Sequence, residues 1–382
     1  MGRPVAGKCL PLNRDFSESR FYFAGYPLDG PYHSLYLAPA MNTIRYPAEW
    51  EEQDGVLLAW PHADTDWKPY LAQARETFAR IIAEASHHAR VIVITTNPTE
   101  VHHFLQHTNA LCERIQCYPI PSNDTWARDF GPITVFENQH PVLLDFQFNG
   151  WGGKFRADLD NAISAELMER GVFGPTHLRR IHLILEGGSI ESDGHGTVLT
   201  TSSCNANPNR NPHMSRKDIE HAFAQFLGIT RVLWLEHGYL AGDDTDGHID
   251  MLARFAPHDT LVYQACDNPA DEHFTELSAM ADELKLMRNP AGAPYRLIPL
   301  PWPAARYDEV QHRLPVSYAN YLILNGAVLV PIYNDPCDAL ALSRIGKAYP
   351  GRKIIGIDCS ALILQHGSLH CVTMQLPKGV LG

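Results

Sequence analysis

The sequence predicts an α/β protein built as a ring of five strand–strand–helix–strand units in one domain. Three observations point there. From Met41 onward an apolar strand pair, an amphipathic helix and one more apolar strand recur along the chain. The first unit lacks one strand of its pair, while an apolar strand is left over at the C-terminal end. Out-of-place polar groups recur where the units begin, as if delivered to one axis. Pairing the last strand into the first unit closes the ring and protects the sheet edges. Length alone would allow roughly two or three domains. The competing reading is an ordinary mixed α/β protein with several sheets.

Each element has a local reason. Residues 56–60 read as a strand, 67–87 as a helix and 90–95 as the strand completing the first unit. Strands over 133–136 and 142–148 make the next hairpin. A helix over 158–171, stopped by Gly171, and a strand over 181–185 follow it. Strands over 189–192 and 197–201 flank Asp193-Gly-His-Gly196, a strong turn signal. Ser215 caps and Gly228 ends a helix over 215–227, whose Ile219, Phe223, Phe226 and Leu227 share one face. A strand over 231–235 closes that unit. The fourth unit reads as strands over 248–255 and 260–265, a helix over 271–287 and a strand over 295–300. The fifth turns at Asn325-Gly326 between strands over 318–324 and 327–333, then runs through a helix over 335–349 to a strand over 353–358. The left-over strand spans 369–376.

Composition narrows the function classes. A formal net charge of -12 disfavours nucleic acid and anionic membranes as partners and favours cationic ligands. None of the eight cysteines forms a CxxC pair, so zinc-knuckle and thioredoxin chemistry are not signalled. Sparse, irregular cysteines fit a reducing compartment, and a cytoplasmic location is expected. No apolar run approaches about 18 residues, so no membrane span is expected. Residues 1–40 are rich in Pro, Gly and Tyr and lack a signal-peptide pattern. They read as a loosely ordered extension before a catalytic domain over 41–382, and translation starting at Met41 is a further expectation.

The densest chemistry is Asp243-Asp-Thr-Asp-Gly-His-Ile-Asp250, with four carboxylates and one imidazole in eight residues. Strand alternation would point His248 and Asp250 to one face. Asn123-Asp-Thr-Trp-Ala-Arg-Asp129 precedes the second unit, Leu185-Glu-Gly-Gly-Ser189 the third, and His366-Gly-Ser-Leu-His-Cys371 opens the closing strand. Brought together, Asp129, Glu186, His248, Asp250 and Cys371 suit one reaction. Carboxylates hold a planar guanidinium through forked hydrogen bonds. A thiol beneath it attacks the central carbon, and the neighbouring cation favours the thiolate. An imidazole protonates departing ammonia and then activates water. Trp126 could cover a flat cation by stacking. The same acidic stretch with His248 could instead bind a divalent metal for hydrolysis, and a catalytically silent binding module is the third possibility.

Further motifs run in order along the chain: Pro47-Ala-Glu-Trp50, Leu58-Ala-Trp-Pro61, Trp126-Ala-Arg-Asp-Phe-Gly-Pro132, Phe148-Asn-Gly-Trp-Gly-Gly153, Asn209-Arg-Asn-Pro-His213, Asp246-Gly-His-Ile-Asp250 and His370-Cys371. Together they resemble the agmatine deiminase / bacterial peptidylarginine deiminase family, over nearly the whole chain past residue 40. The resemblance implies the five-bladed α/β propeller of the guanidine-modifying superfamily. It also implies hydrolysis of a guanidine to a ureido group without metal or other cofactor, and a homo-oligomeric state. By motif, Cys371 would be the nucleophile and His248 the general acid and base. Asp129 and Asp250 would clamp the guanidinium, Glu186 would bind it and orient His248, and Trp126 would line the pocket. Asp244 is a candidate for the substrate's far amine, Asp243 and Asp246 are weaker candidates, and Arg210 reads as stitching a loop. His370, beside Cys371, reads as a residue that supports the site from behind or simply packs there. Two positions depart from the family pattern: His366 stands where a glycine is usual, and Glu191-Ser192 where His and Val are. The small-guanidine reading favours agmatine, with an arginine- or peptidylarginine-directed deiminase as the alternative.

Overall fold

A computed structural model describes residues 43–381. They form a mixed α/β fold of five separate sheets. Four of these repeat one plan: an antiparallel hairpin, a crossover containing helix, then a strand parallel to the second of the pair. Ile133–Glu137, His140–Gln147 and His177–Ile184 follow it, with Ile44–Arg45 added on the outer edge. So do Ile190–Ser192, Thr197–Thr201 and Arg231–Leu235. Ala253–Ala256, Thr260–Gln264 and Arg296–Leu300 make the next. Leu322–Leu324, Ala327–Ile332 and Lys353–Asp358 make the fourth.

The remaining sheet is assembled from both ends of the described chain. The C-terminal strand Met374–Pro377 pairs antiparallel with Gln53–Ala59, Met374 opposite Leu57, and supplies the hairpin strand that the first unit lacks. Gln53–Ala59 runs parallel to Arg90–Ile94, which is parallel to Ile115–Tyr118. That outer strand, and the helix Pro98–Leu105 before it, were not expected. The short strand carries one buried residue, Ile115, too little pattern to read from the sequence.

The central strands are covered on both faces, which is why they read as unbroken apolar runs. Val56–Ala59, Val91, Val93 and Ile94, and Ala327–Val330 are fully buried. The helix Leu71–Ser86 buries Ala74, Phe78, Ile81, Ile82 and Ala85, the spacing of a single helical stripe. Arg216–Leu227 begins with a capping box between Ser215 and Asp218 and ends at Gly228 in the left-handed region, as its sequence requires.

Three expected strands are shorter, and each loss lies beside the candidate site. The segment expected as a strand from His248 is a 3-10 turn, Ile249–Met251, followed by the strand Ala253–Ala256. Hydrogen bonds within the loop fix that turn: Asp243 accepts from the Thr245 and Gly247 amides, and Thr245 Oγ1 accepts from the His248 amide. The segment 369–373 turns before the last strand, with Thr373 donating back to Leu369 and His370 carbonyls. Residues 318–321 leave the strand, and side chains take two of their amides, Gln264 at Tyr318 and Ser317 at Ala319. The helix expected over 158–171 is a 3-10 turn, Asp160–Ala162, and then Ile163–Glu169, since Asp160 is spent accepting the amides of Asn123 and Asp124. The expected extension over 1–40 and the start at Met41 lie outside the described residues.

Candidate active site

The loops leading into or out of several sheets bring Asp129, Glu186, His248, Asp250 and Cys371 together, all buried. Asp129 sits in a single helical turn, Ala127–Phe130. Its Oδ1 accepts from the Gly188 amide at 3.1 Å and its Oδ2 from the Trp151 indole at 3.0 Å. The Arg128 amide donates to the Cys371 carbonyl at 3.1 Å, which ties this turn to the thiol's backbone. Burial, reinforced by the negative charges of Asp250 and Glu186, pushes the Asp129 carboxyl up to about 6 against the pull of His248.

His248 lies between two carboxylates. Its Nδ1 is 3.7 Å from Asp129 Oδ1 and its Nε2 is 3.5 Å from Glu186 Oε2. Both distances exceed hydrogen-bond reach, so both ring nitrogens are buried without a partner. Burial pulls the imidazole pKa down, but Asp129, then Cys204 and Glu186, outweigh burial and hold it well above its ordinary value. Asp250 uses one oxygen for support. Its Oδ2 accepts from His370 Nδ1 at 2.8 Å and Asn320 Nδ2 at 3.1 Å, and lies 3.6 Å from Cys371 Sγ. Its Oδ1 is buried and unpartnered. Asn320 Nδ2 also donates to Cys371 Sγ at 3.2 Å. Burial, then the carboxylates of Asp250 and Asp129, raise the thiol pKa well above its ordinary value, so the resting thiol is protonated.

Gly188 shows how tightly these groups meet. A Cβ placed there would lie 2.7 Å from His248 Nδ1, 2.8 Å from Asp129 Oδ1 and 3.3 Å from Asp250 Oδ2. Three polar atoms from two segments therefore surround one point that only glycine leaves open.

Asp129, Cys371 and Trp126 line a cavity, with Asp244 at its outer wall. The Gly367 backbone lies against the Trp126 ring, where a Cβ would come within 2.1 Å of Cζ3. His248, Asp250 and Glu186 are not among the cavity's lining residues, and Glu186 stands on the Nε2 side of His248. Both its oxygens accept from Arg210 Nε at 3.2 Å. Arg210, read from sequence as a loop stitch, is thus buried beside the site, and it also pairs with Asp246. Asp243 and Asp246 hold their own loop: Asp243 accepts from Thr245 and Gly247, Asp246 from Arg210, Asn209 and Lys154. Their carboxylates are therefore committed and form no metal cluster with His248 among the described residues. The group with ligand spacing is Glu186, Cys204 and His248, whose ligand atoms lie within 4.8 Å of one another.

His366 occupies the left-handed region, with φ 66, where a residue other than glycine is uncommon. Its Nδ1 is 2.7 Å from the Gly242 carbonyl, and its ring forms part of the cavity wall. Glu191, the other departure, is buried away from the cavity and binds Arg254 Nε at 2.6 Å. Asn320, Trp151 and Cys204 escaped the sequence reading. Trp151 had a signal in its Asn-Gly-Trp-Gly-Gly setting, where its φ is 55. Asn320, within Ser-Tyr-Ala-Asn, had none.

Comparison with known proteins shows the family of the chain. A family model described as Porphyromonas-type peptidyl-arginine deiminase matches residues 45–377. A Vibrio parahaemolyticus protein with the provisional name agmatine deiminase is 34% identical over 364 residues, covering 90% of this chain and 99% of its own. A Porphyromonas gingivalis structure, provisionally named an arginine deiminase, superposes with TM-score 0.84 at 48% identity, covering 89% of this chain and 100% of its own. A cysteine variant of C. jejuni agmatine deiminase, with substrate bound, gives TM-score 0.82 at 36% identity over 89% of this chain and 98% of its own. The chain belongs to the Porphyromonas-type peptidyl-arginine deiminase family.

Proposed function

We propose that this chain hydrolyses the guanidine of a small cationic solute to a ureido group and ammonia, with agmatine as substrate and N-carbamoylputrescine as product. The observation that carries this reading is the convergence of His248, Asp129 and Asp250 on Gly188, with the thiol 3.6 Å from Asp250. Asp250 Oδ1, with no partner in the protein, receives a guanidinium N–H, and Asp129 receives another. The bound cation offsets the carboxylates that hold the thiol protonated, so Sγ releases its proton through the cavity to solvent and the thiolate forms beneath the cation. Sulfur bonds to the central carbon, ammonia leaves with a proton from His248, and a thiouronium remains on Cys371. His248 then takes a proton from water. The hydroxyl adds to the same carbon, the C–S bond breaks, the hydroxyl proton leaves to restore the protonated thiol, and the neutral ureido product departs. Glu186, fixed by Arg210, orients His248 throughout.

The cavity wall supports a cationic tail. Asp66, Asp124, Asp243 and Asp244 line it together with Asp129, and none of its described lining residues is Arg or Lys. A substrate α-carboxylate would meet acidic groups there. The arginine-directed reading has its own support in the 48% identity to the P. gingivalis structure. A neighbouring cavity, which shares Asp66 and Asp124, does carry Arg156, but Asp158 already holds that guanidinium in a fork. A ureido assay over agmatine, arginine and arginyl peptides separates the two readings. Agmatine should exceed the others at least about tenfold in kcat/KM. A preference for arginine or arginyl peptides overturns the substrate.

We further propose that residues 41–382 form one catalytic domain whose five sheets stand as blades around a common axis. The pairing of Met374–Pro377 with Gln53–Ala59 supports this reading. A cytoplasmic location fits the seven described cysteines, all free thiols. The reaction needs no metal, so EDTA is expected to leave ammonia release unchanged. Loss of activity restored by zinc would move the chemistry to Glu186, Cys204 and His248.

A further inference from the structure

Pro47-Ala-Glu-Trp50 and His370 stood out in the sequence, and the catalytic steps use neither. The structure joins them behind Asp250. The His370 ring spans two carboxylates, its Nδ1 2.8 Å from Asp250 Oδ2 and its Nε2 2.8 and 3.0 Å from the oxygens of Glu49. His370 is buried, and the Asn320 side chain fixes its backbone amide at 2.8 Å. Glu49 is itself clamped. Arg254 Nη2 reaches it at 2.5 Å, Arg128 Nη1 at 3.1 Å and Gln375 Nε2 at 2.9 Å. Arg254 Nη2 is also 3.0 Å from His370 Nε2, while its Nε is held by Glu191.

This arrangement decides which Asp250 oxygen is free. His370, Asn320 and the thiol all crowd Oδ2, and Oδ1 is left buried without a partner. A carboxylate held by one flexible neighbour could turn and satisfy both oxygens inside the protein. With its Nδ1–H donated to Asp250, the ring accepts at Nε2 from Arg254 Nη2, which the doubly ion-paired Glu49 holds in place, and the ring so braced prevents that rotation.

We propose that His370 is a positioning residue, braced by Glu49, that fixes Asp250 so that one oxygen stays open to the substrate's guanidinium. The inference rests on the reading of Asp250 as a guanidinium clamp. It assigns the Glu49 motif a role in catalysis exerted from behind the site. Supporting groups of this kind, when removed, typically cost about 10- to 100-fold in activity.

The test compares replacements that preserve different ends of the ring. In His370→Asn the side-chain amide sits near the position of Nδ1 and still donates to Asp250. In His370→Gln it reaches toward Glu49 and leaves Asp250 unsupported. Deimination is measured for both and for Glu49→Gln, with thermal unfolding alongside. His370→Gln should lose about 10- to 100-fold in kcat with a smaller change in KM, and His370→Asn should recover most of it. Glu49→Gln should lower kcat several-fold at nearly constant KM, and it carries the test if the His370 variants do not fold. Equal kcat in the Asn and Gln variants, or an unchanged kcat in Glu49→Gln, overturns the relay. Cys371→Ala runs in the same assay. If it still turns over, the catalytic reading itself fails; if it is dead while Asn and Gln behave alike, only the relay fails.

Discussion

Cys371→Ala is expected to abolish deimination, lowering kcat by at least about 10⁴-fold, while leaving the fold and substrate binding in place. In the proposed clamp the thiol is, among the described residues, the group near the guanidinium carbon with the nucleophilicity to form a covalent intermediate. Its neighbours cannot substitute: Asp250 Oδ2 is committed to His370 and Asn320, and Asn320 is a neutral amide. Binding should survive because the proposed clamp is made by Asp129 and Asp250 and not by the thiol. Ammonia release and calorimetric agmatine binding check the two halves separately. The state of the thiol adds a sign. Burial and the two carboxylates raise its pKa, so at neutral pH it is protonated until a cation enters. A cationic haloacetamidine should therefore alkylate Cys371 faster than neutral iodoacetamide does. Turnover retained in the alanine variant would rule out covalent catalysis by this residue.

The sequence carried this site unevenly, for physical reasons. Cys371, His248, Asp129, Asp250 and Glu186 were legible because each is a reactive group at the start of an apolar segment, where a core has no use for it. The strand-pairing plan was legible because doubly covered strands are apolar throughout. Arg210 and Asn320 were not, since an arginine in a polar loop and an asparagine beside tyrosine look like solvent-facing residues. Only the folded chain puts Arg210 Nε on both oxygens of Glu186 and Asn320 between Asp250 and the thiol. The strand reading of His248 failed at the same place for a related reason. Loop side chains, Asp243 and Thr245, satisfy the amides that a sheet would otherwise have taken. Polar groups spent on shaping the backbone are invisible to periodicity, because periodicity reports burial alone.

Gly188→Ala is expected to reduce kcat/KM by about 10³-fold or more with a well-folded protein, because misplacing reacting groups by about 1 Å already costs roughly 10²-fold. The added methyl would meet His248 Nδ1 at 2.7 Å, Asp129 Oδ1 at 2.8 Å and Asp250 Oδ2 at 3.3 Å, so all three must move. It would also disturb the Gly188 amide that now donates to Asp129 Oδ1. Gly188 does not need the left-handed backbone, so alanine is permitted there as a residue, and the cost falls on the site. Overpacking of this kind costs about 1–3 kcal/mol of stability, measurable by urea unfolding. Cys371→Ala removes one bond-forming atom; Gly188→Ala keeps every catalytic group and removes only their spacing. Activity within tenfold of wild type in the Gly188 variant would mean that the three polar groups act without their observed convergence, and the proposed clamp and proton transfer would then lose their geometric basis.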